Sequence, residues 1–483
     1  CSKTISPLRY NQSGGALGGP VWIPKVYDGH NRSFFFFNYE GYRRKAWGDS
    51  YATVPPMDQR TGDFSNLRDA RGTLIPIFDP ATTQANPSGS GYVRQAFPGN
   101  VVPKNRFDPV TIKMLDFVAA PNTPPTNVYQ NTNNLFYRSG AGTESDQMAI
   151  RFDQKITDNN TMYVRYMDFW HRPLPTTGGV VPWEINGRDD RYKTRNAVLS
   201  DTHTFSPHVL NDFRASLSRQ YFTYGSPTVG QGWPQKLGLP AGFADVMPIV
   251  NFGMTIGPGF VGNIRAGLGL QFFDSVTMIY GKHSLKVGTE IRRNDGISGV
   301  MAPANAGSWN FSGLTANPQA ATGTGSGLAQ FLLGAVSNGS VTANGATTIR
   351  NYSASFFVQD DWRITRRLNL NLGLRYDYQQ SPYEKHNRMS NFNISEINPE
   401  TNLPGLTQYA DLTPFDPVLG GKPNLSPRFG FAYDVRGDGR TALRGAYSIF
   451  YATVHNITYS SSGYGTYSTP YQPPNNNGNF PAF

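Results

Sequence analysis

The 483-residue chain is 38% hydrophobic, carries a formal net charge of +10 and contains one cysteine, Cys1. Its mean hydropathy is −0.44, and it has no run of about eighteen apolar residues, which excludes a helical membrane protein. A lone cysteine excludes a disulfide framework and a thiolate metal cluster. Scattered Lys and Arg, with Arg43 to Lys45 among the densest runs, argue against a nucleic-acid partner.

Plentiful aromatics (26 Tyr, 31 Phe), 51 Gly and 36 Pro suit many strands joined by turns and loops. Low hydropathy does not exclude a membrane, because a β-barrel hides its apolar band in alternation. In chain order, Asn11 to Trp22 (NQSGGALGGPVW) predicts a glycine-rich strand. Ser33 to Lys45 predicts a second, with Phe35, Phe37 and Tyr39 on one face. Residues 48–144 then read as a long loop insertion rich in Pro, Asn and Thr. It holds one helix, with Asp108 as N-cap, Pro109 at the first position, and Ile112, Leu115 and Phe117 as its packing side chains.

Met148, Ile150 and Phe152 alternate with polar residues into a turn at Thr157 to Asn160, and Met162, Val164 and Tyr166 return from it. Thr194 to Phe205 and Val209 to Tyr224 predict a third hairpin. A fourth turns at Gly281 and Lys282, and a helical patch follows at Leu328 to Gly334. The clearest hairpin spans Tyr352 to Tyr378. Leu368, Leu370, Leu372, Leu374, Tyr376 and Tyr378 take one face, and Asn369, Asn371, Gly373, Arg375 and Asp377 the other. Asp360 and Phe357 break its pattern. Arg428 to Val435 and Thr441 to Tyr451 form the last pair, around RGDGR at Arg436 to Arg440.

Short turns and long loops therefore alternate, so antiparallel strands place every short turn at one end. That asymmetry, together with strands of about eleven to fourteen residues, fits an antiparallel transmembrane β-barrel with short periplasmic turns and long extracellular loops. Trp170, Trp362, Tyr376, Tyr378 and Tyr451 stand near strand ends, where interfacial aromatics belong. Rows such as Arg151 with Asp153 and Arg375 with Asp377 suit a lumen. The Thr365 to Arg367 turn is expected on the periplasmic side, and Tyr352 and Tyr378 nearer the cell surface.

Catalytic motifs are lacking. GKHS at Gly281 to Ser284 lacks the upstream glycine of a phosphate-binding loop. The seven His form no HExxH, and no GxSxG elbow occurs. RGDGR reads as a polar turn. The sequence predicts no enzyme, no cofactor and no metal site, and it identifies no substrate-binding residue. Loops Trp47 to Glu144 and Ser298 to Asn351 are the expected places for ligand contacts. Within the loops Trp183, Trp233 and Trp309 suit either loop packing or stacking on a sugar or siderophore.

The chain resembles the Oar-like branch of TonB-dependent outer-membrane receptors. The resemblance rests on NQSGGALGGPV (Asn11 to Val21), SFFFFNYEGYR (Ser33 to Arg43), RTGDFS (Arg60 to Ser65) and FPGNVVPKNRFDPV (Phe97 to Val110). It continues through DQMAIRFDQKITDNNTMYVRY (Asp146 to Tyr166), THTFSPHVLNDFRASLSR (Thr202 to Arg219), FLLG (Phe331 to Gly334), FFVQDDWRITRRLNLNLGLRYDY (Phe356 to Tyr378) and PNLSPRFGFAYDV (Pro423 to Val435). It implies a 22-stranded barrel around a plug, of which residues 1–483 read as a barrel fragment with about twelve strands. Cys1 then reads as the start of a truncated chain rather than a lipidation site. The implied function is ligand uptake across the bacterial outer membrane. The implied partners are outer-membrane lipid, an extracellular ligand, and the TonB–ExbB–ExbD system acting through the plug and TonB box. A surface anchor or adhesin and a passive porin are the alternatives.

Overall fold

A computed structural model describes residues 7–239, 243–258, 262–300, 306–320, 322–343, 347–380, 382–388, 390–409, 423–451 and 467–471. Its frame is one antiparallel sheet whose long strands pair in chain order. These are β1 (Leu8–Pro20), β2 (Ser33–Ala52), β3 (Leu135–Thr157), β4 (Asn160–Thr177), β5 (Asp189–Ser206), β6 (Val209–Gly225), β7 (Gly262–Tyr280), β8 (His283–Val300), β9 (Thr347–Arg363), β10 (Leu368–Gln379), β11 (Pro423–Asp434) and β12 (Ala442–Ser448). Among the described residues β1 and β12 are the two edges. Strictly sequential pairing leaves every short connection at one end, including Asp158–Asn159, Pro207–His208, Gly281–Lys282 and Ile364–Arg367. The long connections gather at the other end.

The strands outrun the sequence expectation towards the loop end. β2 runs 20 residues, to Ala52, and β3 runs 23 residues from Leu135, so the connection between them is residues 53–134. Apolar alternation fades there, but pairing is kept by polar partners. Arg43 donates to both oxygens of Asp146 at 2.8 and 2.9 Å, Arg138 Nε donates to Asp49 Oδ1 at 2.6 Å, and Tyr51 meets Phe136 at 5.2 Å. At the chain's start β1 stops at Pro20, and Trp22 instead pairs with Asp28 in a small separate hairpin. β12 ends at Ser448, short of Tyr451.

The alternating faces stand as the spacing predicts. One face carries exposed apolar side chains from strand after strand, among them Phe37, Val164, Leu217, Phe272, Phe356 and Leu374. In the register Phe272 lies opposite Ile291, and Phe356 opposite Tyr376. The other face carries the charged rows: Arg151 bonds Asp153, and Arg375 bonds Asp377, each at 2.8 Å through Nε. Acid and arginine two residues apart on one strand share a face, and the device recurs at Asp212 with Arg214 and at Glu290 with Arg292. Phe357, an exception to the alternation, points to this polar face and stacks on Phe273 at 6.3 Å.

The buried apolar core lies in the long connections rather than in the sheet. Residues 53–134, 178–188, 226–258 and 306–337 contribute Phe64, Ile185, Val250 and Phe331 respectively to one cluster. Among the short helices within it are α1 (Pro109–Leu115), α2 (Trp233–Leu237) and α3 (Gly327–Leu332). The expected N-cap is present, since Asp108 Oδ1 accepts from the Val110 and Thr111 N–H groups at 2.9 and 3.0 Å. The buried side of α1 is Val110, Met114 and Leu115, however, and Ile112 is 38% exposed. A five-stranded sheet not foreseen from the sequence links Thr255–Ile256, Ile249–Asn251, Ser308–Asn310, Asn338–Ala343 and Tyr467–Tyr471 in that order. The stretch after Tyr471, with its Asn/Pro-rich NNNGNFPAF, and Cys1 lie outside the described residues.

Candidate functional site

The loop cap is fastened by residues that the sequence shows as short motifs. In RTGDFS, Arg60 donates to three backbone carbonyls, those of Pro55 (2.9 Å), Val118 (2.8 Å) and Ala119 (2.5 Å). Burial pushes this guanidinium's pKa down. Gly62 has φ +90, and a Cβ there would stand 2.4 Å from the Val102 carbonyl, so no other residue fits without a shift. Phe64 is fully buried. In the FPGNVV stretch, Asn100 donates to the Phe64 and Ile75 carbonyls at 2.7 and 3.0 Å and accepts from the Ile77 N–H at 2.7 Å. FLLG closes the arrangement: the Asp108 N–H donates to the Leu332 carbonyl at 2.8 Å, and Phe331 stacks on Phe252 at 4.3 Å.

These contacts decide the role of two loop tryptophans. Trp233 packs edge-on against Phe117 at 5.5 Å, and Trp309 packs on the same core while its indole N–H donates to the Ala306 carbonyl. Both are packing residues. Trp183 begins a single helical turn, Trp183–Asn186, in the 178–188 connection.

Below the cap, the polar face gathers a group the sequence reading missed. Phe169 and His171 on β4, Tyr192 on β5, and Phe222 and Tyr224 on β6 all point to that face at the loop end of their strands. Tyr192 lies opposite both His171 and Phe222 in the register. Its ring stacks on Phe222 at 4.1 Å and 9° and meets His171 at 5.2 Å; Phe169 stacks under His171 at 6.2 Å. Arg188, which bonds Asp190 at 2.7 Å, lies over the Tyr224 ring at 5.1 Å. Each aromatic sits on the polar parity of its own strand. That is the one sequence signal, and it has no meaning until the register joins three strands.

Nearer the short turns the same face holds a pocket of about 320 Å³ lined by Tyr163, Val198, Arg214, Ser216, Gln271 and Phe273. Beside it Glu290 accepts from Gln271 (2.5 Å), Arg292 (2.8 Å) and Arg375 (3.2 Å), while Asp377 accepts from Ser355 at 2.6 Å. Glu290 and Asp377 are thus engaged by arginines, whereas Arg165, opposite Val198 on the same face, has a buried Nε without a partner. The stacked rings Tyr192 and Phe222 present flat apolar faces on this side of the sheet.

Other sequence features resolve as structure. In RGDGR the Asp434 carboxylate accepts from the Gly437 and Gly439 N–H groups at 2.8 and 2.9 Å, and Asp438 accepts from the Arg440 N–H at 2.9 Å. The aspartate of the RGD triplet is thus engaged within its turn. Gly281 and Lys282 of GKHS are the hairpin turn itself, with Gly281 at φ +57. Among the described residues no group of three or more His, Cys, Asp or Glu is placed to hold a metal.

Residues 2–482 match the family described as "Outer membrane beta barrel domain". No curated relative matches the chain. Similar solved structures include the outer-membrane transporter YddB of Escherichia coli, at 9% identity and a TM-score of 0.45, covering 91% of this chain and 38% of that one. The copper transporter OprC follows at 10% identity and a TM-score of 0.34, with 92% and 45% covered. The ferric-catecholate import receptor Fiu of E. coli K12 gives 10% identity, a TM-score of 0.28, and 89% and 61% covered. The chain thus spans less than two thirds of the length of each of these structures.

Proposed function

The chain belongs to the outer membrane beta barrel domain family and is a protein of the outer membrane; from that premise we propose that it forms wall and outer cap of a TonB-dependent receptor of the Oar-like branch. The apolar face meets lipid, the polar face lines a lumen, and the twelve strands belong to a larger barrel of about 22. The capped end faces outward and receives a ligand. TonB, ExbB and ExbD energise its passage through the plug and TonB box that the sequence resemblance implies.

The row Phe169, His171, Tyr192, Phe222 and Tyr224 carries this reading, because it runs from the foot of the cap onto the lumenal face. Stacking there suits a ligand with flat or ring faces. The test is uptake by cells carrying the full-length protein. Tyr192→Ala with Phe222→Ala should lower uptake with unchanged protein level, and deletion of TonB should abolish it. Uptake that persists without TonB sinks the energised-transport reading. A cap with its core largely in the loops also favours a second reading, a surface anchor that presents the cap to a partner. That reading predicts cell or matrix binding unaffected by either change.

A further inference from the structure

The apolar face carries a feature that transport does not use. Arg195 on β5 and Arg219 on β6 are directly opposite each other in the register, on the same side as Leu199 and Leu217 of the apolar band. Both are exposed. Like charges directly opposite on neighbouring strands destabilise a sheet. Lys193, one step further towards the loops, lies opposite Trp170 and Tyr221. The local carboxylate is Asp168, 3.4 Å from Arg195 Nε and 3.8 Å from Lys193 Nζ, while Arg219 has no ion pair among the described residues. Three cations thus share one acid.

Their height is informative. Arg195 stands eleven residues from Ser206, and Arg219 ten residues from Val209, the short-turn ends of their strands. At about 3.3 Å per residue and a tilt of ~40°, that is roughly 25–28 Å along the membrane normal, at the upper edge of an apolar band about 25 Å tall. Arg43 on β2 and Arg293 on β8 stand at the same height on the same face, but each is ion-paired, Arg43 with Asp146 and Arg293 with Asp295, which also takes Arg350. Trp170 and Tyr221 flank the cluster as interfacial aromatics do.

We propose that Lys193, Arg195 and Arg219 form a binding site for the phosphate groups of an outer-leaflet lipid headgroup. A phosphate seated between the two arginines accepts from both and removes their repulsion, while the acyl chains lie along the Leu199 and Leu217 band below. This rests on the membrane-spanning reading of the wall.

The test uses the full-length protein extracted with its native lipid and, separately, reconstituted in vesicles. Mass spectrometry of the purified protein should show about tenfold less phosphorylated lipid on the double variant R195Q/R219Q than on the wild type or on R440Q at the opposite end. R195K/R219K should retain it. Equal lipid on R195Q/R219Q overturns the proposal. A second arm needs no variant: the wild type should melt higher in vesicles holding a phosphorylated outer-leaflet glycolipid than in its dephosphorylated form. Equal melting overturns the site, and so does an equal rise on adding inorganic phosphate in detergent, which would mark a free-anion site. Failure of the wall to insert at all, read as loss of protease-protected strands, overturns the membrane-spanning reading itself and is thereby distinguished from failure of the lipid site alone.

Discussion

The ring of Phe357 lies across Gly288 on the neighbouring strand, so that a Cβ on residue 288 would stand 2.5 Å from its Cζ and 2.8 Å from the Asp274 carbonyl. The aromatic that broke the alternation therefore covers a bare stretch of backbone and joins β7, β8 and β9 through its stack on Phe273. Gly288→Ala should destabilise the sheet by about 1–3 kcal/mol through overpacking. Adding Phe357→Leu should recover part of that loss. Urea unfolding of the refolded protein checks both, and an additive double variant would show that the two residues are not coupled.

Arg60→Lys is not a conservative change here. The guanidinium reaches three carbonyls in different directions, and an ammonium cannot reproduce that fork. Loss of these bonds should cost about 1–3 kcal/mol of cap stability. Limited proteolysis should cut residues 53–134 first, with the strands of the sheet still protected.

Phe331 is fully buried and touches Phe252 and Phe311. Phe331→Ala should cost about 3–5 kcal/mol within the cap. Because the sheet has its own ladder, the measured outcome should be a lower-melting cap transition while the strand signal in circular dichroism persists. A single shared transition for cap and sheet would contradict that separation.

Leu374 is 45% exposed at the middle of β10, opposite Val358 and Pro427. Leu374→Arg should impair insertion by roughly 2–4 kcal/mol, the cost of arginine near a bilayer midplane. Leu372→Arg should be milder, because Leu372 lies opposite Asp360, which can pair with the new cation. Asn371→Arg should be tolerated, since Asn371 already donates to Asp361 on the polar face. Folding yield into vesicles ranks the three; equal yields would contradict the assignment of a lipid face and a polar face, and a lowest yield for Asn371→Arg would mean the faces are reversed.

The cap should weaken in acid. Burial pushes the Asp79 carboxyl up, but the Arg106 guanidinium and the Ala81 N–H outweigh it and hold the group below the usual carboxylate range. Asp63 is held low by the Ser65 side chain and N–H, and Asp69 first by the Thr73 N–H. A depressed folded pKa contributes stability that is complete above the unfolded value, about 3.9, and is lost as pH falls through the folded value. Tryptophan emission from Trp233 and Trp309 should therefore shift on melting at lower temperature below about pH 4. Asp79→Asn should flatten that dependence.

The sheet was legible in the sequence because its rule is local. Leu368 to Tyr378 alternate whatever lies beside them, and the turn at Thr157 to Asn160 is four residues long. The cap on α1 was legible for the same reason, since Asp108 bonds N–H groups two and three residues away. Which side of α1 is buried was not, because Met114 rather than Ile112 meets partners from distant loops. The cap as a whole was hidden by such distances: the Phe78 N–H donates to the Thr315 carbonyl, and Arg94 reaches the Ala316 carbonyl at 3.0 Å. The aromatic row escaped notice because each ring looks ordinary on its own strand.

The cap's construction also sets an order on assembly. Its core draws on four separate connections, which lie between β2 and β9. None of them can bury its share alone, and contacts such as Phe78 with Thr315 close loops of more than 200 residues. Ordering so distant a set is slow, so the cap should condense last, after eight strands have found their neighbours. Until then Phe64, Val250 and Phe331 remain open to water. A closed cap is therefore a record that the wall beneath it was laid down in register, and a chain that mispairs any hairpin between β2 and β9 would display that fault at the surface as an unfolded, protease-sensitive crown.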